Sequence, residues 1–180
     1  MLNRRAFLRL SLGVGAGAGL ATQPALAGLA SPMRERVLTL YNTHTGERAQ
    51  ATYWADGEYV ETEIARLNRL LRDHRSGRVF AIEHRLFDTL YDLQALTGAR
   101  TDFHVISGYR SPATNAMLRR QHSGIARESL HTHGKAIDIR LPGHELRDLQ
   151  RAALALRAGG VGYYPQTDFI HLDTGRVRTW

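Results

Sequence analysis

The chain contains no cysteine in its 180 residues. Disulfides, thiolate metal sites and lipid attachment through sulfur are therefore excluded, and any metal must be held by His, Asp or Glu. There is no internal repeat, and no low-complexity stretch beyond the Gly- and Ala-rich N-terminus. The one uncharged run there, Leu10 to Leu20, is too short and too rich in glycine for a stable membrane span. An aromatic–basic stripe, the usual footprint of a nucleic-acid binder, is also missing. What is present is an ordinary globular composition, 43% apolar and 23% charged, which argues against global disorder. The length suffices for one domain with a real core and hardly for two.

The formal charge is +7, but Arg4, Arg5 and Arg9 stand in an N-terminal segment without an acidic partner. Without them 21 basic residues face 17 acidic ones, a mild excess that suits an anionic polymer such as a cell-wall sugar–peptide mesh. Asn3-Arg-Arg-Ala-Phe-Leu-Arg9, the uncharged run and the small-residue site Ala25-Leu-Ala27 have the layout of a twin-arginine export signal. The expected organisation is a signal over 1–27 cleaved near Ala27 or Ala30, a linker over 28–35, and a single domain over 36–180. The expected location is the periplasm, with no stable membrane span after cleavage.

In the mature chain, Arg36–Asn42 and Glu47–Trp54 alternate like two strands of a hairpin around Thr43–Gly46. Apolar residues at helical spacing predict helices over Val60–His74 and Ile82–Leu96, with His74 and His84 on their solvated faces. Asp102–Ser107 reads as a strand, followed by a helix over Ala113–Arg120 with Ser111 as N-cap and Pro112 in its first turn. A loop over 121–128 follows. Ala136–Leu141 is a further strand, a helix begins at Leu146, and Val161–Tyr164 and Phe169–Leu172 are strands joined at Pro165-Gln-Thr. Without a regular βαβ alternation, this order predicts an α+β fold with a mainly antiparallel sheet.

Chemistry concentrates in Ser129-Leu-His-Thr-His-Gly-Lys-Ala-Ile-Asp-Ile-Arg140. Ile137, Ile139 and Leu141 alternate with Asp138 and Arg140, so Asp138 lies on the face away from the core. A lone Asp there would be a plain solvated residue. With His131 and His133 beside it, and Asp168, His171 and Asp173 near the C-terminus, a metal centre becomes the better reading. A catalytic zinc takes three protein ligands and keeps one position open. Spacing alone does not choose between His131 and His133, which lie two apart.

The pattern Ser129-x-His131-x-x-Gly134-x-Ala136-x-Asp138 resembles the zinc signature of the M15 metallopeptidases, the D-alanyl-D-alanine carboxypeptidase and murein endopeptidase group, and most of all its murein endopeptidase K-like branch. The resemblance spans roughly Ser107 to Trp180. It implies a Hedgehog/DD-peptidase-like fold with helices packed on one side of the sheet, and one Zn2+ held by His131, Asp138 and His171. It also implies Asp168 as general base, in an acidic-x-x-His arrangement, and Arg110 of Ser107-Gly-Tyr-Arg-Ser facing the substrate. His133 then falls at a position that does not bind metal; with Ser129 and Asp173 it is a candidate for orienting the ligands. Asp168 stands where many relatives have Glu. On a straight strand it would face away from His171, so it must sit in the turn or at a bulge. The implied activity is hydrolysis of peptidoglycan peptide cross-links, Asp168 taking a proton from water and returning it to the leaving amine. A carboxypeptidase and a non-catalytic binder of wall peptides are the rival readings. The bond cut is left open between D-Ala–diaminopimelate, diaminopimelate–diaminopimelate and a terminal D-residue.

Overall fold

The alternation in β1 (Arg36–Asn42) and β2 (Arg48–Ala55) buries every second residue and makes the expected hairpin. Asn42 closes its turn, accepting from the backbone N–H groups of His44 and Thr45 through its side-chain oxygen. The computed structural model describes residues 35–121 and 124–180, so the expected export signal, its expected cleavage sites and the expected linker up to residue 34 lie outside it. After the hairpin come β3 (Glu58–Tyr59), α1 (Glu61–Leu70), α2 (His84–Thr97), β4 (Phe103–Ser107) and α3 (Pro112–Gln121). A single 3-10 turn (Leu130–His133) leads into β5 (Ala136–Arg140), α4 (Leu146–Leu156), β6 (Gly160–Tyr164), β7 (Phe169–Asp173) and β8 (Arg178–Thr179).

The strands form one sheet in the order β3-β2-β1-β4-β5-β7-β6-β8. It is antiparallel except where β1 meets β4 and β6 meets β8, so the α+β, mainly antiparallel reading holds. Register makes one face continuous: Leu38 and Leu40 lie beside Ala51, Ala49 and Phe103, Val105 beside Ile139, and Ile137 and Ile139 beside Leu172 and Ile170. These residues form one cluster with Leu67 and Leu70 of α1, Phe87 and Leu90 of α2, and Leu149 of α4. Burial of this kind contributes roughly 25 cal/mol per Å² of apolar surface. Three helices thus cover one face, while the buried residues of α3 (Thr114, Asn115 and Leu118) lie outside that cluster.

Some details differ from the sequence reading. The first helix stops at Leu70 rather than His74, because Asp73 starts a competing turn: its side chain accepts from the N–H groups of Arg75 and Ser76. His74 is half-buried and stacks on His44 (3.9 Å between centroids), and His84 lies against Tyr59; neither is a freely solvated histidine. The strands β3 and β8 were not expected, since two residues are too few to show a period.

Candidate metal centre

His131 is placed by the 3-10 turn. Ser129 caps it, its Oγ accepting from the His131 N–H at 3.3 Å, and Gly134 ends it in the left-handed region (φ 64°). A Cβ at Gly134 would come within 2.2 Å of the Ala81 carbonyl oxygen, so the signature glycine is required by both conformation and space. Asp138 reaches the same point from β5 and His171 from β7, opposite each other in register. A bulge in β4 between Val105 and Ser107 brings Ser107 alongside Asp138, a common device beside active sites.

The three side chains converge through particular atoms. His171 Nδ1 lies 2.9 Å from Asp138 Oδ1, and His131 Nε2 lies 3.2 Å from both that oxygen and His171 Nδ1. All three ligand atoms fall within 4.8 Å of one another. Each imidazole has its other nitrogen anchored. His131 Nδ1 donates to the Gly108 carbonyl at 2.8 Å, and His171 Nε2 donates to Asp173 Oδ2 at 3.1 Å. Those anchors turn His131 Nε2 and His171 Nδ1 toward the shared centre, the orientation usual for metal-bound histidines. Burial pushes the Asp138 carboxyl up, but His131 and His171 outweigh it and hold the group well below the usual carboxylate range. Burial lowers His171, yet hydrogen bonds to Asp138 and Asp173 push it up to about 9 in the metal-free protein. Two imidazole nitrogens and one carboxylate oxygen, without thiolate, form a donor set that suits zinc.

Arg110 approaches Asp138 Oδ2 at 3.8 Å. Its guanidinium also donates to Ser107 Oγ and Asn115 Oδ1, and its buried Nε has no partner among the described residues. Asn115 in turn donates to the Ala126 and Arg127 carbonyls, tying the loop after α3 to the site. The Arg110 segment is itself pinned: Asp73 accepts from the Ser111 N–H at 2.9 Å, and the Ser111 hydroxyl accepts from the Thr114 N–H as the expected N-cap. A pocket of about 400 Å³ opens over the triad, walled by Arg110, Glu128, Tyr164, Phe169 and Trp180.

The structure therefore brings together His131, Asp138, His171, Arg110, Ser129 and Asp173. It does not bring Asp168 or His133 to them. Asp168 sits in the β6–β7 turn with φ 54°, as the spacing required. Its side chain is exposed, however, and lies 3.4 Å from Arg140, in a separate depression with His104 and His144. His133 is exposed, because a 3-10 turn, unlike a strand, sends residues two apart in different directions. The sequence reading missed Gly108, Asn115, Asp73, Tyr164 and Trp180. Of these only Tyr164 and Trp180 carried a signal, as aromatics flanking the His171 strand.

A two-histidine, one-aspartate cluster beneath an open pocket is a set of groups that could hold a metal ion, as in a metalloenzyme. Comparison with known proteins agrees. Residues 30–180 match the family described as peptidoglycan L,D-endopeptidase MepK, and the chain belongs to that family. It is 47% identical over 178 residues to the peptidoglycan L,D-endopeptidase MepK of Escherichia coli (strain K12), covering 99% of this chain and 97% of the relative. It is 41% identical over 179 residues to the probable peptidoglycan L,D-endopeptidase MepK of Haemophilus influenzae, covering 99% and 95%. The chain is a peptidase.

Proposed function

We propose that this protein is an exported, zinc-dependent peptidoglycan L,D-endopeptidase. The observation that carries the reading is the convergence of His131 Nε2, Asp138 Oδ1 and His171 Nδ1 on one point, each imidazole anchored through its other nitrogen. The L,D stereochemistry comes from the names of the relatives. Of the three bonds left open by the sequence, it fits diaminopimelate–diaminopimelate, in which an L-centre acyl group joins a D-centre amine. The twin-arginine pattern and a wall substrate both support a periplasmic location.

Zinc bound to the triad would supply a Lewis acid and lower the pKa of water to about 7. The chain's own residues do the rest. Arg110, largely buried in the pocket wall, offers positive charge where the amide oxygen becomes anionic. Anchoring by Asp73 and Asn115 holds that charge in place before substrate arrives. Glu128 is the carboxylate lining the pocket besides the ligand Asp138, and Asp168, paired with Arg140 outside it, is not placed to exchange a proton there.

The test is incubation of the purified protein with cross-linked muropeptides, products being read by mass. Cross-linked dimers should be converted to monomers with intact stems. A chelator should stop this and zinc should restore it. Products shortened by one terminal residue would make the protein a carboxypeptidase, and intact dimers with zinc bound would make it a binding module.

A further inference from the structure

Tyr164 stands on the same face of β6 as Gly162, which pairs with His171 across the strands. Its phenol is therefore a diagonal neighbour of a triad imidazole, a relation that spans about 7–8 Å between backbones and is within reach of aromatic side chains. Its ring stacks on Phe169 at 4.7 Å, which sets its plane. Its hydroxyl oxygen accepts from the Trp180 indole N–H at 2.8 Å. Trp180 has ring contacts of its own. Its ring lies 5.2 Å from that of His171, the Arg178 guanidinium sits 4.8 Å over it, and a Cβ at Gly162 would come within 2.8 Å of the indole. Both aromatics line the pocket over the triad.

A phenol has one proton and two lone pairs. The indole occupies a lone pair, and among the described residues no acceptor takes the Tyr164 proton. Tyr164 is 36% exposed and lines the pocket, so it is not a core residue.

We infer that Tyr164 is a catalytic hydrogen-bond donor to the scissile amide oxygen, held in place by Trp180 as a positioning residue. The phenol keeps its proton throughout, and what changes is the negative charge on the oxygen it faces. This rests on the endopeptidase reading above. A donor aimed at such an oxygen is worth roughly 100-fold or more in kcat.

Tyr164→Phe should lower kcat about 100-fold with KM within threefold of wild type and one zinc still bound. Binding of a phosphinate dipeptide, whose tetrahedral oxygens mimic the charged amide oxygen, should weaken by a similar factor. Trp180→Phe, which keeps a ring and removes the donor, should cost about tenfold in kcat alone, a fraction of what loss of the donor itself costs. In metal-free Tyr164→Phe the indole N–H resonance of Trp180, one of two tryptophans, should shift while that of Trp54 stays. An unchanged kcat, a loss confined to KM, a loss that tracks lost zinc, or an unmoved Trp180 resonance would overturn the inference. A zinc-loaded wild type inert on cross-linked muropeptides would overturn the endopeptidase reading, and this inference with it.

Discussion

Asp173→Asn should weaken zinc binding without unfolding the protein. The Asp173 carboxylate accepts five hydrogen bonds. Oδ1 takes the Gly160 and Gly175 N–H groups and Arg178 Nη1, and Oδ2 takes His171 Nε2 and Arg178 Nη2. An asparagine amide must turn its NH2 toward one of these two groups of donors. The two backbone donors cannot move, so the NH2 takes the Oδ2 position and faces His171. His171 then relieves the clash by presenting the lone pair of Nε2, which puts its proton on Nδ1, the atom that faces Asp138. The ligand is thereby held in the tautomer that cannot bind. Loss of such an outer partner typically costs 10–100-fold in metal affinity, or about 1.4–2.8 kcal/mol. Competition with a chromophoric chelator measures the dissociation constant, and a thermal melt of the metal-free protein checks the fold. A variant with wild-type zinc affinity would refute the reasoning, since it would show that Asp173 does not set the His171 tautomer.

Asp168→Asn should leave kcat on muropeptides within threefold, because its carboxylate faces Arg140 outside the pocket; a 100-fold loss with zinc retained would restore the acid–base role implied by the motif. Gly134→Ala should destabilise the domain by at least about 2 kcal/mol in urea unfolding, since the position combines a left-handed φ with a carbonyl 2.2 Å from the added Cβ; a neutral result would contradict the packing described. Burial, with His44 and Arg75 nearby, pushes His74 down to about 4, below the value of about 6.5 it has when unfolded. The unfolded chain therefore takes up the proton first. The stabilising contribution is complete above pH 6.5 and is lost as pH falls toward 4. After allowance for solvent screening of a half-buried ring, the loss is about 1–2 kcal/mol. Urea midpoints at pH 7 and pH 4.5 should differ by less in His74→Asn than in wild type, and an equal drop in both would exclude His74 as the source.

The parts of this architecture legible in the sequence are those governed by local period. Alternation in Ala136–Arg140 puts Asp138 on the polar face, and Pro112 after Ser111 marks a helix start that the structure reproduces. Tertiary contacts decide the rest. Nothing in a mid-helix Asn115 announces that it holds the carbonyls of residues 126 and 127, nor does Gly108 announce that its carbonyl fixes the His131 tautomer. The Asp168-x-x-His171 spacing predicts nearness along the chain, which is met. The direction of the Asp168 side chain depends on a positive-φ turn that spacing does not encode. His131 and His133 looked equivalent only under the assumption of an extended chain, which the 3-10 turn removes.

Diffraction from zinc-soaked crystals on either side of the zinc absorption edge tests directly whether His131, Asp138 and His171 hold one ion. One strong anomalous peak per chain is expected, about 2.0–2.2 Å from His131 Nε2, Asp138 Oδ1 and His171 Nδ1. A peak elsewhere, or one bound through His171 Nε2 with Asp173 displaced, would contradict it.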